Sequence, residues 1–233
     1  MHYFYVPFIS NGILPEEESL HAAKVLRLQT GELITLLDGK GGVALAKITL
    51  PHPKKCAFEV VNHEHKGSGR NYRLHVAIAP TKNIERFEWF IEKAIEIGVD
   101  EITPVLCRYS ERKHVKAERL DKLCVAACKQ SVQTVFPTIN EMTDLHPFLK
   151  TAKAFKKCIA HCYPQERFDF RRSAEGQNDL LILIGPEGDF SLEEVILAIE
   201  QGFEPVSLGS SRLRTETAGV MACATATLCA AGK

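Results

Sequence analysis

The chain has no excess charge of either sign: 29 Lys and Arg balance 29 Asp and Glu over 233 residues. That excludes a global field that would draw in a nucleic acid, so any basic surface must be local. No apolar run reaches the roughly 18 residues that span a bilayer. The opening MHYFYVPFISNG has neither a basic leader nor an apolar run ending in small residues, so it does not read as a secretion signal. Several signatures are also missing. No G-x-G-x-x-G follows a strand-like run, no G-x-x-x-x-G-K-[ST] occurs, and no G-x-S-x-G elbow marks a serine nucleophile. A dinucleotide fold, a P-loop NTPase and an α/β-hydrolase are thereby disfavoured. Internal repeats and low-complexity segments are absent as well.

Cysteine, by contrast, is present eight times. In a chain of this length with no secretion signal, these read as reduced thiols of a cytoplasmic protein. Cys124 and Cys128 are four apart on a helical pattern with Leu123, Val125 and Ala126, where cysteine acts as a small hydrophobe. Cys158 and Cys162 bracket His161. Neither spacing completes a four-ligand zinc set, and no metal is expected.

Residues 1–70 read as β-rich. Glu32–Gly39 and Val43–Leu50 are strand-like runs around Asp38-Gly39-Lys40-Gly41-Gly42, a hairpin signal. Cys56–His63 alternates as a further strand, and Glu16–Leu26 is a short helix. The polar segment His63–Asn71 is the expected linker. From residue 71 to 233, short apolar runs alternate with helical periods. The strands are Leu74–Pro80, Glu101–Leu106, Cys158–Cys162, Leu180–Pro186 and Pro205–Gly209; the clearest helices are Ile84–Ile97 and Arg119–Val132. That order predicts a mainly parallel sheet covered on both faces. Ser191 and Glu194 form a capping box, with Phe190 and Val195 as its hydrophobic staple and Gly202 as the stop.

Two stretches carry chemistry. In Leu183-Ile184-Gly185-Pro186-Glu187-Gly188-Asp189-Phe190 a buried strand ends in a glycine-bearing turn before the capped helix. Ligands of open parallel sheets sit outside the carboxyl ends of the strands, where glycine lets them approach the backbone. In Ser207-Leu208-Gly209-Ser210-Ser211-Arg212-Leu213-Arg214-Thr215-Glu216-Thr217-Ala218 another strand ends at glycine. The helix that follows is made of small residues (Ala218, Gly219, Ala222, Cys223, Ala224, Ala226). A glycine inside a helix predicts a close approach, to a partner subunit or to a ligand-bearing loop.

These stretches resemble the C-terminal signature of the bacterial 16S rRNA (uracil-N3)-methyltransferases, of the SPOUT class. The likeness continues upstream in HAAKVLRLQTGE (His21–Glu32), EKAIEIGVDEITPVLCRYS (Glu92–Ser110) and KQSVQTVFP (Lys129–Pro137). The resemblance implies an α/β fold: a C-terminal SPOUT domain with a trefoil knot, preceded by a small PUA-like β-barrel that grips RNA. It also implies S-adenosylmethionine as cofactor, a homodimer, and a uridine in the 16S rRNA of the 30S subunit as substrate. Carried over by position, the cofactor loops fall at Leu183, Gly185, Glu187 and Gly188. The second set is Leu208, Gly209, Leu213, Arg214, Thr215, Glu216 and Ala218. Lys93, Glu96 and Arg108 match further family positions in supporting roles. Three departures stand out: Asp189 where a glycine is usual, Ser210-Ser211-Arg212 in place of a Pro-containing loop, and Gln133 where an arginine is usual.

Methylation of uracil N3 requires removal of its proton, so a carboxylate base is expected. Glu216 and Glu187 are the candidates, with Arg214 stabilising the developing anion or holding a phosphate. RNA contact is expected from local basic runs. Lys150–Arg172 holds seven Lys/Arg against two acids, and Arg108–Lys122 six against three. The named candidates are Lys24, Arg27, Arg108, Arg112, Lys113, Arg171 and Arg172. The rival functions are a ribose 2′-O or guanine SPOUT methyltransferase, and an inactive RNA-binding assembly factor of the same fold.

Overall fold

The computed structural model describes residues 2–164 and 166–230. Contacts divide the chain into two units: Met1–Gly69 with Val125–Phe136, and Arg70–Cys124 with Pro137–Lys233.

In the first unit, β1 (Tyr3–Tyr5) is followed by α1 (Glu16–Leu20), which continues through a π-turn over His21–Val25. Next come β2 (Leu33–Leu37), β3 (Gly42–Leu50) and β4 (Ala57–His65). They form a mixed sheet in the order β1-β2-β3-β4, the first pair parallel and the rest antiparallel. Alternation aims Ala44, Ala46 and Ile48 of β3 at a core with Phe4, Leu14 and Leu36. At the hairpin tip Asp38 Oδ1 accepts from Lys40 N (2.7 Å) and Gly42 N (2.8 Å).

Residues 125–136 complete this unit, which no local sequence pattern announces. Gly41 N donates to Thr134 O (2.9 Å) and Phe136 N to Gly39 O (2.9 Å). The Phe136 ring packs 4.8 Å from that of Tyr5, and Lys129 pairs with Glu18 at 2.7 Å. The tip glycines are therefore a docking edge as well as a turn. A Cβ at Gly39 would meet Phe136 at 3.3 Å.

The second unit runs β5 (Arg73–Ile78), α2 (Ile84–Ile97), β6 (Glu101–Leu106) and α3 (Ala117–Ser131), whose last turns belong to the first unit. Then follow β7 (Thr138–Ile139), β8 (Thr143–Asp144), α4 (Leu145–Thr151), β9 (Lys156–Ala160), β10 (Phe168–Asp169) and α5 (Phe170–Ala174). It ends with β11 (Asp179–Ile184), α6 (Leu192–Glu200), β12 (Glu204–Ser207) and α7 (Thr215–Ala230). The sheet order is β10-β12-β9-β11-β5-β6-β7, with β8 also on β6, and every pair is parallel. This is the mainly parallel α/β class expected from the alternating pattern.

Burial follows the two faces of the sheet. Ala77, Ile159, Leu181 and Leu183 pack with Phe148 of α4 and Val195 and Ala198 of α6. On the opposite side α2 and α7 lie together, bringing Phe87, Phe90, Ile91, Ala222 and Ala226 out of solvent. The capping box is formed: Ser191 Oγ accepts from Glu194 N (3.2 Å), and Glu194 Oε2 from Ser191 N (2.8 Å). The staple residues Phe190 and Val195 are both fully buried. The short elements β1, β7, β8, α4, β10 and α5 are too brief to show a period.

The run expected over Cys158–Cys162 is a strand only to Ala160, which leaves Cys162 exposed in the loop that follows. Lys156 and Lys157 are structural, not free cations. Lys156 pairs with Glu204 at 2.7 Å; Lys157 donates to Gln201 O (2.6 Å) and sits 5.0 Å from the Phe203 ring centroid. Burial pushes the Cys158 and Cys223 thiols up to about 12, as suits inert core residues.

His75 gives this unit a pH signature. It is buried in β5, its Nε2 2.7 Å from Thr103 Oγ1, and desolvation lowers its pKa to about 4 against the opposing pull of Glu101. A histidine kept neutral by the fold binds its proton only on unfolding, so stability present above pH 6.5 is lost as pH falls towards 4. Urea midpoints measured from pH 7 to 4.5 are expected to fall, and His75→Gln is expected to flatten that fall. An equal slope in the variant excludes His75 as the source.

Candidate active site

Three strands, β9, β11 and β12, end side by side at their carboxyl ends, and their loops enclose a cavity of about 320 Å³ with the start of α7. That lies at the low end of the roughly 300–1,000 Å³ typical of small-molecule sites. Its apolar wall is Ala160, Ile184, Pro186, Val206, Leu208 and Leu213; Arg167, Arg212, Glu187 and Asp189 stand among them as charged groups. Thr215 Oγ1 donates to Gly185 O (3.1 Å), tying the two motif-bearing loops together. Backbone turning at Gly209 uses a φ of +123°, and a Cβ there would meet nothing within 4 Å, so the loop is open for a ligand.

Of the eleven positions expected to hold a cofactor, Gly185, Glu187, Leu208, Gly209, Leu213, Arg214, Thr215 and Ala218 line this cavity. Leu183 does not: strand alternation turns it into the core on the α6 side, and its neighbour Ile184 faces the cavity instead. Gly188 lies against Tyr109, whose Cβ a side chain would meet at 3.1 Å. Glu216, one helical position past Thr215, faces an adjoining open cleft of about 710 Å³. Arg212, Leu213 and Arg214 form a wall common to both spaces.

The carboxylates have separate environments. Glu187 is exposed, and its Oε1 accepts from Lys82 N (2.9 Å), which fastens the loop after β5. Glu216 is 7 % exposed, with its Oε1 3.9 Å from Arg86 Nε. Arg112 is not a free cation: it donates to the carbonyls of Thr81 (2.9 Å) and Lys82 (2.5 Å). Arg108 Nη1 reaches Glu193 at 3.2 Å, and its backbone N donates to Glu194. Lys24, Arg27, Lys113, Arg171, Arg172 and Arg214 are exposed.

Sequence reasoning missed the third loop, Ala160–Tyr163. It is fastened by Asp189, whose Oδ2 accepts from Cys162 N (2.8 Å) and Oδ1 from Phe190 N (2.8 Å). Asp189 has a φ of +66°, a region suited to glycine and tolerated by Asp, so this departure exchanges backbone ease for a clamp between two loops. Tyr163 Oη adds a hydrogen bond to Phe190 O (2.9 Å). His161 Nδ1 accepts from Tyr163 N (3.2 Å), which leaves the proton on Nε2, a buried atom with no hydrogen-bond partner. Burial holds this imidazole below its usual pKa.

A slot with apolar walls, glycine-bearing turns at its rim and charged side chains around it fits an adenosyl group.

The glycine of α7 has an intramolecular cause. A Cβ at Gly219 would lie 2.5 Å from Phe90 Cε2 and 3.0 Å from Ile78 Cδ1. The close approach is therefore to α2 and β5 of the same chain, and neither a partner subunit nor a ligand loop is needed to explain it.

Comparison with known proteins gives consistent results. An RNA methyltransferase domain model matches residues 68–227, and an RNA methyltransferase PUA domain model matches residues 14–61. A probable rRNA-methyltransferase from Porphyromonas gingivalis is 41% identical with a TM-score of 0.93, covering 100% of this chain and 99% of that one. Ribosomal RNA small subunit methyltransferase E from Neisseria gonorrhoeae, solved bound to S-adenosyl methionine, is 26% identical with a TM-score of 0.79, covering 96% and 95%. Ribosomal RNA small subunit methyltransferase E of Buchnera aphidicola is 29% identical over 216 residues, 90% of this chain and 84% of that protein.

Proposed function

Because this chain belongs to the RNA methyltransferase family, we propose that it methylates N3 of a uridine in the 16S rRNA of the small ribosomal subunit, using S-adenosylmethionine. The observation that carries this reading is the cavity closed by Gly185–Pro186, Leu208–Gly209 and Leu213–Thr215 at the carboxyl edge of the sheet, with Glu216 in the cleft next to it.

Backbone groups of those loops would hold the adenine, with Ile184, Val206 and Leu213 enclosing its faces. Bound there, S-adenosylmethionine would supply an electrophilic methyl group and be released as S-adenosylhomocysteine. The residues of the chain supply the rest. Uracil N3 carries a proton and is a poor nucleophile until that proton leaves. Glu216 faces the cleft through which a base would enter, so its carboxylate takes the proton. Arg86 and Arg214 lower the energy of the uracil anion by offering cationic donors to its carbonyl oxygens. Glu187, tied to Lys82 N, holds the loop and is not the base. No step requires a metal.

The target base must leave its stack to reach this cleft. RNA would be gripped by the PUA-like first unit through Lys24 and Arg27, and by Lys113, Arg171 and Arg172 of the second, with affinity falling steeply as salt rises. A homodimer is supported by the outward face of α7, where Met221 and Leu228 stay exposed with Ala224 between them. No helix among the described residues is long and apolar enough to cross a membrane, in keeping with action in the cytoplasm.

The test is transfer of labelled methyl groups to small subunits lacking the modification, with nucleoside mapping of the product, together with calorimetry against S-adenosylhomocysteine. Label in 3-methyluridine is expected. Label on a ribose or guanine overturns the uridine assignment, and absence of S-adenosylhomocysteine binding points to an inactive assembly factor.

A further inference from the structure

Trp89 is the one tryptophan of the chain. It lies on α2 beside the fully buried Phe90, yet the residue is itself 44% exposed. Leaving an indole in water forgoes burial that the helix gives to both neighbouring phenylalanines, Phe87 and Phe90. The ring faces the open cleft together with Arg86, Arg212, Arg214, Glu216 and Thr217. Arg86 and Trp89 are three apart on α2, so both project from the same side of that helix. The cleft thus combines an aromatic face, three guanidinium groups, the nearly buried Glu216 carboxylate and the exposed Glu85 carboxylate, and it shares the Arg212–Arg214 wall with the cofactor cavity.

We propose that this cleft is the subsite for the extruded target nucleotide and that the Trp89 indole is the surface on which its base stacks. The inference rests on the methyltransferase reading above and deepens it by naming where the substrate sits. Stacking accepts any base, so selection falls to the edge. The Glu216 carboxylate accepts from the N3–H of uracil, whereas N3 of cytosine is an acceptor and repels it. Arginine donors match the uracil carbonyl oxygens, and the remaining guanidinium charge suits the flanking phosphates.

A lone tryptophan makes its emission a direct report on this cleft. The full-length wild-type chain, saturated with S-adenosylhomocysteine, is titrated with an end-labelled RNA hairpin carrying an unpaired uridine. Label anisotropy reads binding while indole emission, excited where the bases absorb little, reads stacking. Quenching that saturates together with the anisotropy is expected. In methyl transfer to small subunits, Trp89→Ala is expected to lose about 5- to 150-fold in kcat/KM, equivalent to about 1–3 kcal/mol of base–aromatic stacking. Trp89→Phe is expected to recover most of that loss, and S-adenosylhomocysteine affinity is expected to be unchanged in both variants. Hairpin binding without any change in emission overturns the proposal, as does Trp89→Ala acting at the wild-type rate. So does emission that responds to protein dilution and not to RNA, since that marks Trp89 as a subunit contact. A wild-type chain that binds no S-adenosylhomocysteine and transfers no methyl overturns the reading beneath, and this proposal with it.

Discussion

Glu216→Gln is expected to lower kcat for methyl transfer by about 10²–10⁴-fold, the usual contribution of a positioned general base. Glutamine keeps the shape and the hydrogen-bonding reach of the side chain but cannot take up a proton at neutral pH. The effect should fall on the chemical step alone. Glu216 lines the open cleft and not the cofactor cavity, so calorimetric affinity for S-adenosylhomocysteine should stay at the wild-type value. Glu187→Gln serves as the contrast. Its carboxylate braces Lys82 N, and an amide oxygen can still accept that hydrogen bond, so activity should change little. Single-turnover rates with small subunits separate the two. Full activity in Glu216→Gln with loss in Glu187→Gln would reverse the assignment.

The second large effect is expected at Gly219. Carbon atoms settle about 3.5–4.0 Å apart, but an alanine Cβ here would start 2.5 Å and 2.6 Å from two atoms of the Phe90 ring. That ring is fully buried between α2 and the sheet and cannot swing aside into solvent. Overpacking of this kind costs about 1–3 kcal/mol, and in Gly219→Ala about 1 kcal/mol returns as improved helix propensity. Gly219→Val adds two methyl groups and a stiff χ1 rotor with less propensity gain, so a loss of about 3 kcal/mol or more is expected. At about 2–4 °C per kcal/mol for a chain of this size, that lowers Tm by roughly 6–12 °C. Differential scanning calorimetry reads it directly. Trimming the ring in Gly219→Ala/Phe90→Leu should recover part of the loss, because the two sites share one volume. An unchanged Tm in Gly219→Val would mean that α7 does not seat on Phe90.

Glu216 and Gly219 lie on neighbouring turns of one helix. That α7 has a glycine where helices avoid one is plain in the sequence. What it approaches is not: Phe90 and Ile78 lie more than a hundred residues away, and a local pattern contains no distances. The same holds for the carboxylates. Glu187 and Glu216 are both legible as candidates because each sits in a motif at a strand end. The different roles proposed for them rest on Lys82 N reaching one and an open cleft facing the other. The third loop carried no signal, since His161 and Cys162 look like the end of a strand. Asp189 reads in the sequence only as an aspartate where glycine is usual, whereas its carboxylate binds that loop to its own.

Local chemistry and periodicity therefore determined the element types, the capping box, the parallel α/β class and the two motif-bearing turns. Each of these depends on residues a few positions apart, whose preferences survive in any context. Tertiary structure alone decided which side of each turn faces the cavity, which cations are spent on internal carbonyls and carboxylates, and that residues 125–136 return to finish the first unit. Those outcomes depend on side chains distant in sequence competing for one space. Only the packed chain sets which of them meet.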